Sequence, residues 1–198
     1  MTENTTIRQQ RTQEHLYQAF IKLVKRKGYH EVSVTDIMTE ATYNRSTFYK
    51  YFKDKCDLAQ SLLSHILKGL EQASHVPYSQ KRKVYSSELT HRSFHIVDYF
   101  YEHRNFFELL LVPDSIPSLT TELPLTILKI YIEQFNFETL NDTSVNMATF
   151  KRYTAFGFYG IILNWIATNF AQPKEALIDE LIDLTKTHMK TIEFVGSV

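Results

Sequence analysis

Residues 33–58, SVTDIMTEATYNRSTFYKYFKDKCDL, hold two helix starts so close together that only a short turn fits between them. Ser33 is a good N-cap for a helix running to about Ala41, with Val34, Ile37 and Ala41 inward. Asn44 caps a further helix from Arg45 to about Phe52. At about 100° per residue, Phe48 and Phe52 share the face that must pack inward. Ser46 and Lys50 point about 160° away from it, with Arg45, Thr47, Tyr49 and Tyr51 on the flanks. This outward set carries hydroxyls, cations and two tyrosines, and no acid. It suits a phosphate-lined groove, with hydroxyls and cations for backbone oxygens and Arg for a base edge.

Helical patterning surrounds this segment. Leu16, Ala19, Phe20, Leu23 and Val24 form one apolar face of a first helix, about Ile7 to Lys27, which Gly28 stops. Asp54 caps a fourth helix, with Asp57 three residues on in the manner of a capping box. Leu58, Leu62, Ile66 and Leu70 mark its inner face to about Gln72. Residues 73–85 read as a loop. Helices follow at about Ser87–His103, Asn105–Leu111, Leu125–Phe137, Met147–Ala171 and Pro173–Glu193, with Pro113, Pro117 and Pro124 punctuating the connection before residue 125. With only five Gly and five Pro in 198 residues, the expectation is an all-α chain of about nine helices and no convincing strand.

Charge divides the chain in the same place. Residues 1–55 hold ten Lys/Arg against six Asp/Glu, a balance of +4, and residues 56–198 hold twelve against sixteen, a balance of −4. A basic head on an acidic body is the asymmetry expected when one end meets nucleic acid. The domain reading is therefore 1–55 for a helix-turn-helix head and 56–198 for a helical body.

The head resembles the TetR family of transcriptional regulators. The likeness rests on Gly28-Tyr29, Ser33-Val34 with Ile37, Glu40-Ala41, and Thr47-Phe48-Tyr49 through Tyr51-Phe52-Lys53-Asp54-Lys55 to Leu58. A weaker likeness to the branch containing the dihydroxyacetone-kinase operon regulator rests on VTDIM, FKDKCDL and the Tyr153, Gly157, Gly160, Trp165-Ile166 run before Pro173. The resemblance implies a dimer that binds double-stranded operator DNA through Thr35, Arg45, Ser46, Thr47, Tyr49, Lys50, Tyr51 and Lys55. It also implies a body that binds a ligand and dimerises. The expected function is a dimeric repressor released from its operator by a small-molecule effector; the alternative is a DNA-bound co-activator or adaptor that answers to a protein partner rather than a small ligand. Two positions depart from the family pattern. Thr42 stands where the turn usually has Gly, and a β-branched residue resists positive φ, so the turn must bend differently or carry strain. Met38 replaces a small residue of the second helix, which alters packing against the third.

In the body, two aromatic-rich stretches are candidates for lining a pocket for a small apolar or aromatic effector. They comprise Phe94, Tyr99, Phe100, Tyr101, Phe106 and Phe107, then Tyr131, Phe135 and Phe137. The last two helices are the expected dimer interface, through Gly157, Gly160, Ile161, Trp165, Leu177, Leu181, Leu184 and His188. His91 and His95 lie four apart with His103 nearly in line, but no Cys or carboxylate sits beside them at a metal-site spacing, so no metal or cofactor is expected. The lone Cys56 excludes an internal disulfide and fits a reducing cytoplasm. The N-terminus has no apolar signal-peptide core, and the longest apolar stretch, Ala155–Phe170, is shorter than the ~20 residues a bilayer requires. No P-loop, nucleophile elbow, HExxH or paired-carboxylate motif occurs, so an enzyme has no residues to work with. The expectation is a soluble cytoplasmic protein.

Overall fold

The computed structural model describes residues 2–80, 82–140 and 144–196, with side chains from Ile7 onward. Nine α-helices occur among the described residues. They are α1 (Thr2–Lys27), α2 (Val34–Ala41), α3 (Arg45–Phe48), α4 (Lys55–His75), α5 (His95–Glu102), α6 (Arg104–Phe107), α7 (Leu119–Lys129), α8 (Met147–Ala167) and α9 (Lys174–His188). Three short strands, β1 (Lys83–Tyr85), β2 (Phe135–Thr139) and β3 (Met189–Phe194), form one antiparallel sheet in the order β1-β3-β2. The strands correct the expectation of none, but the fold remains helical. The chain divides into two compact units: Met1–Ile66 with Asn105–Leu119, and Leu67–Arg104 with Thr120–Val198. The division falls inside α4, which supplies residues to both.

In the first unit, the expected inner faces are buried. Leu16, Phe20 and Val24 of α1, Ile37 of α2, Phe48 of α3 and Leu58 of α4 have no exposed surface. Their rings and branches interlock: Phe48 lies 5.7 Å from Phe52, and Tyr17 lies 5.8 Å from Phe52. The α2 start is the capping box that the sequence implies. Ser33 Oγ accepts the Asp36 N–H at 3.2 Å, and the Asp36 carboxylate accepts the Ser33 N–H at 2.8 Å. Lys27 completes this cluster at 2.8 Å, and its hydrogen bond with Ser33's holds the Asp36 carboxyl well below the usual carboxylate range. At α4 the Asp57 N–H donates to Asp54 as expected, but the Asp57 carboxylate takes the Lys53 N–H.

Residues 105–119 join this unit through the turn after α1. Gly28 adopts φ +82°, and a Cβ there would stand 2.5 Å from Asp114 Oδ2. Only glycine meets both conditions. Tyr29 N–H donates to the Asp114 carbonyl at 2.7 Å, and His30 N–H donates to the Asp114 carboxylate at 2.9 Å. Lys25 pairs with Glu108 at 2.5 Å.

In the second unit, the long helix expected over Leu125–Phe137 is a different object. α7 starts earlier, at Leu119, and includes Pro124. One proline early in a helix removes one hydrogen bond, and the exposed Thr120 leaves its carbonyl to water. A π-helical turn, Ile130–Gln134, then hands the chain to β2. The buried Lys151 of α8 donates to the Ile132 carbonyl of that turn at 3.0 Å, satisfying a backbone group the irregular turn leaves open. The end of the chain likewise leaves α9 at His188 and runs as β3, whose Phe194 pairs in register with Phe135. No helix among the described residues is long and apolar enough to cross a membrane.

Candidate nucleic-acid interface and body cavity

The turn into α3 closes as a Schellman motif. Tyr43 N–H donates to the Met38 carbonyl at 3.0 Å and Thr42 N–H to the Thr39 carbonyl at 3.2 Å. Thr42 is left-handed, with φ 59° and ψ 39°. The threonine therefore keeps the turn geometry usual for glycine and carries the strain. Met38 is buried beneath the turn. His15 Nδ1 shares a 2.9 Å hydrogen bond with Tyr43 OH, which ties the same turn to α1.

α3 is shorter than its sequence suggests. Only Arg45–Phe48 is α-helical, and residues 49–51 continue in tighter turns, with Lys50 and Tyr51 N–H donating three residues back. Asn44 makes no side-chain cap bond, and nothing else lengthens the helix. The faces survive this tightening. Phe48 and Phe52 are buried; Arg45, Ser46, Tyr49 and Lys50 are exposed; Thr47 and Tyr51 are half-buried. Arg45 Nη2 donates to Tyr49 OH at 3.3 Å with its guanidinium 5.9 Å from the ring centre, which limits the rotamers the guanidinium explores. Thr35 stands exposed in the first turn of α2.

Lys55 behaves differently from the others. Its ammonium donates to the carbonyls of Tyr29 at 2.8 Å and His30 at 3.1 Å, and it sits 4.4 Å from the centre of the Tyr29 ring. It ties the start of α4 to the turn after α1 and keeps one donor for a further acceptor. Cys56 is exposed beside it.

The second unit holds a cavity of about 680 Å³, open to solvent on one side where the exposed Tyr153 and Phe156 line it. Phe94, Tyr131 and Phe135 line it, as does Phe137. The other aromatic candidates do not. Phe100, Phe106 and Phe107 are fully packed, the last two within the first unit, and Tyr99 stacks on His103 at 4.0 Å with its hydroxyl against Gly69. Several residues expected at a dimer interface also line the cavity: Gly157, Ile161, Leu181, Leu184 and His188. Trp165 and Leu177 are buried within their own unit, Trp165 donating to the Gln172 carbonyl at 2.8 Å. Tyr78, which the sequence places in a loop, also lines the cavity, and its hydroxyl donates to the Ser93 carbonyl at 3.2 Å. A single tyrosine in a polar stretch gave no periodic signal to find it by.

Most of the cavity surface is apolar, but Arg152 and hydroxyls such as those of Ser74, Thr149 and Thr185 also line it. Burial pushes the Tyr78 and Tyr131 phenols up, so both remain protonated donors. Burial also lowers the His188 imidazole below its ordinary value, favouring the neutral ring, and its Nε2 is buried with no partner among the described residues. A cavity of this kind takes a mostly apolar molecule with a few polar atoms. The outer positions of α8 differ again. Tyr153 is 75% exposed and Phe156 44%, and no atom comes within 4 Å of a Cβ built on Gly157 or Gly160.

Comparison with known proteins matches two separate regions of the chain. The family model for bacterial regulatory proteins of the tetR family matches residues 16–62, and that for a transcriptional regulator C-terminal region matches residues 87–187. An uncharacterised HTH-type transcriptional regulator of Bacillus subtilis, YxbF, is 20% identical over 84% of this chain and 43% of its own length. The HTH-type dhaKLM operon transcriptional activator DhaS of Lactococcus lactis is 43% identical over 24% of this chain and 25% of its own. The chain thus spans less than half the length of these curated relatives. Among solved structures, the dihydroxyacetone kinase operon activator DhaS superposes with a TM-score of 0.61 at 19% identity, over 89% of this chain and 94% of that one. The transcriptional regulator FadR from Bacillus subtilis, in complex with stearoyl-CoA, gives 0.54 at 16% identity, over 86% and 96%. Head and body both match, and the chain belongs to the tetR family of bacterial transcriptional regulators, which are not enzymes.

Proposed function

We propose that the protein is a dimeric repressor that binds operator DNA through the outward face of residues 45–51 and leaves it when a small apolar effector fills the body cavity. The observation that carries the DNA reading is the acid-free surface of Arg45, Ser46, Tyr49 and Lys50 on a base of buried Phe48 and Phe52. Arg45, Lys50 and Lys53 form no ion pair among the described residues. Thr35 and the remaining donor of Lys55 are the flanking phosphate contacts in this reading, with Thr47 and Tyr51 at the edge of the face. The cavity supports the effector reading, and the stearoyl-CoA bound by the FadR relative is an example of an apolar chain held by this fold. Ser74, on the same α4 that begins at Lys55, lines the cavity and bonds Gln134 at 3.1 Å, so an occupant would press on α4 directly. Shifting α4 in both copies would move two recognition helices off the ~34–36 Å spacing of successive major grooves. The exposed positions Tyr153, Phe156, Gly157 and Gly160 of α8 are the proposed contact between copies.

Fluorescence anisotropy with operator fragments tests the DNA reading. Arg45→Ala should alter sequence preference, while Lys55→Gln should weaken all sequences alike. A thermal-shift screen of fatty acids, acyl-CoA esters and aromatic acids should find compounds that stabilise the protein and weaken DNA binding. A broad screen with no stabilising compound would overturn the effector reading. A second reading, activation, has one observation in its favour: DhaS, 43% identical over the shared helix-turn-helix region, is an activator. Transcription from a target promoter with and without the protein decides the sign.

A further inference from the structure

Ion pairing sorts the cations of the first unit. Lys22 and Arg26 share Glu40, Lys25 pairs with Glu108 and Lys27 with Asp36, so each cation in the C-terminal half of α1 has an acidic partner in its own unit. Arg8 and Arg11, near the other end of α1, have no acidic partner among the described residues, a state they share with Arg45 and Lys50 of the recognition face. Every residue from Ile7 to Arg11 is exposed, whereas Thr12, Leu16, Tyr17, Ala19 and Phe20 are buried, so packing ends at Thr12 and α1 projects past it by more than one turn.

The projecting part is also oriented. Arg8, Arg11 and His15 are spaced i, i+3, i+7 and share one face of the helix. At His15 that face meets the turn that delivers the recognition helix: its imidazole bonds Tyr43 OH at 2.9 Å and stacks on the same ring at 6.1 Å, one residue before Asn44 and two before Arg45. One turn further out is Arg11, and two turns out is Arg8, about 10 Å beyond His15 along the axis. Glu14, the nearest acid on this stretch, accepts from Gln18 at 2.7 Å and is turned along the helix.

We infer that the N-terminal projection of α1 is a second DNA-contact element, in which Arg8 and Arg11 bind backbone phosphates flanking the major-groove site. This rests on the proposal that residues 45–51 face DNA. Phosphate contacts of this kind position a protein without reading sequence.

The test is the salt dependence of binding to a mixed-sequence duplex, by anisotropy, for the wild type, for Arg8→Gln with Arg11→Gln, and for a control that removes two charges elsewhere, Lys68→Gln with Lys190→Gln. Two lost phosphate contacts should flatten the slope of log K against log salt by about 1.8 per chain, with the control near the wild type. Sequence preference and melting temperature should not change, because both arginines are exposed and form no ion pair among the described residues. A double variant whose slope equals the wild type's overturns the inference, as does a control that flattens the slope equally. If the wild type fails to bind any duplex, the DNA reading itself falls and this inference with it. If Arg45→Ala changes preference while the Arg8/Arg11 variant keeps the full slope, only the α1 contact is lost.

Discussion

Thr42→Gly should stabilise this protein, although glycine substitutions usually do the reverse. Thr42 sits at φ 59°, ψ 39°, where its β-branched side chain crowds the backbone at a penalty of about 1–2 kcal/mol. Its hydroxyl bonds only the adjacent Ala41 carbonyl, at 2.7 Å and at the surface, so little is lost with it. Against the relief stands the freer unfolded chain that glycine brings, about 0.4–1 kcal/mol. The net expectation is a gain of about 0.5–1 kcal/mol, which for a chain of this size raises Tm by about 1–4 °C. Thermal unfolding followed by circular dichroism, at one fixed protein concentration, measures it. Thr42→Val, which keeps the branch and removes the hydroxyl, should show no gain. A Thr42→Gly protein that melts below the wild type would refute the strain argument, because the Schellman hydrogen bonds are made by the backbone and survive the change.

Gly28→Ala combines a positive φ of 82° with a Cβ 2.5 Å from Asp114, so it should cost about 2 kcal/mol or more and lower Tm by roughly 5 °C. Asp114 is held below the usual carboxylate range first by the His30 backbone N–H and then by its side chain. A depressed folded pKa stabilises above the unfolded value of about 4, and that stability disappears as pH falls through the folded value. Asp114→Asn should therefore melt lower than the wild type at pH 7, and the gap should close in acid; a gap independent of pH would contradict this. Lys55→Gln should lower Tm as well as DNA affinity, since it removes two bonds to backbone carbonyls; loss of affinity with unchanged Tm would mean the tie is dispensable. Phe156→Glu places an acid on the exposed side of α8 and should turn a dimer into a monomer in sedimentation. An unchanged sedimentation coefficient would put the contact elsewhere.

The head was legible because its determinants are local. Caps at Ser33 and Asp54, the stop at Gly28, and pairs such as Phe48 with Phe52 act over three or four residues, and each appears where the spacing put it. Even the misfit at Thr42 showed in one residue type. What the sequence concealed was long-range. Asp114 meets Gly28 and His30 across more than eighty positions, and nothing in the Pro-punctuated connection marks it as part of the first unit. The strands were hidden for a related reason. FNFET and MKTIEF each continue a helical run, and their alternation of buried and exposed residues becomes binding only once β3 pairs with β2 fifty positions earlier.

The body's apolar stripes show a different limit. Helical spacing of Leu177, Leu181, Leu184 and His188 says that this face is covered, and not by what. Neighbouring charge decides it. The other exposed positions of α9 include Asp179, Glu180, Asp183 and Lys186, which belong in water, so its apolar side turns inward and Leu181, Leu184 and His188 become cavity wall. On α8 Arg152 is the single exposed charge, the exposed positions Tyr153, Phe156, Gly157, Gly160 and Asn164 carry none, and two glycines inside a 21-residue helix each sacrifice about 0.5–1 kcal/mol with no close neighbour in the protomer to justify them. A second copy approaching along α8 would supply that neighbour. It would also sit over Tyr153, Phe156 and Gly157, which line the cavity, so the occupancy of the cavity and the contact between copies would be read by the same three residues.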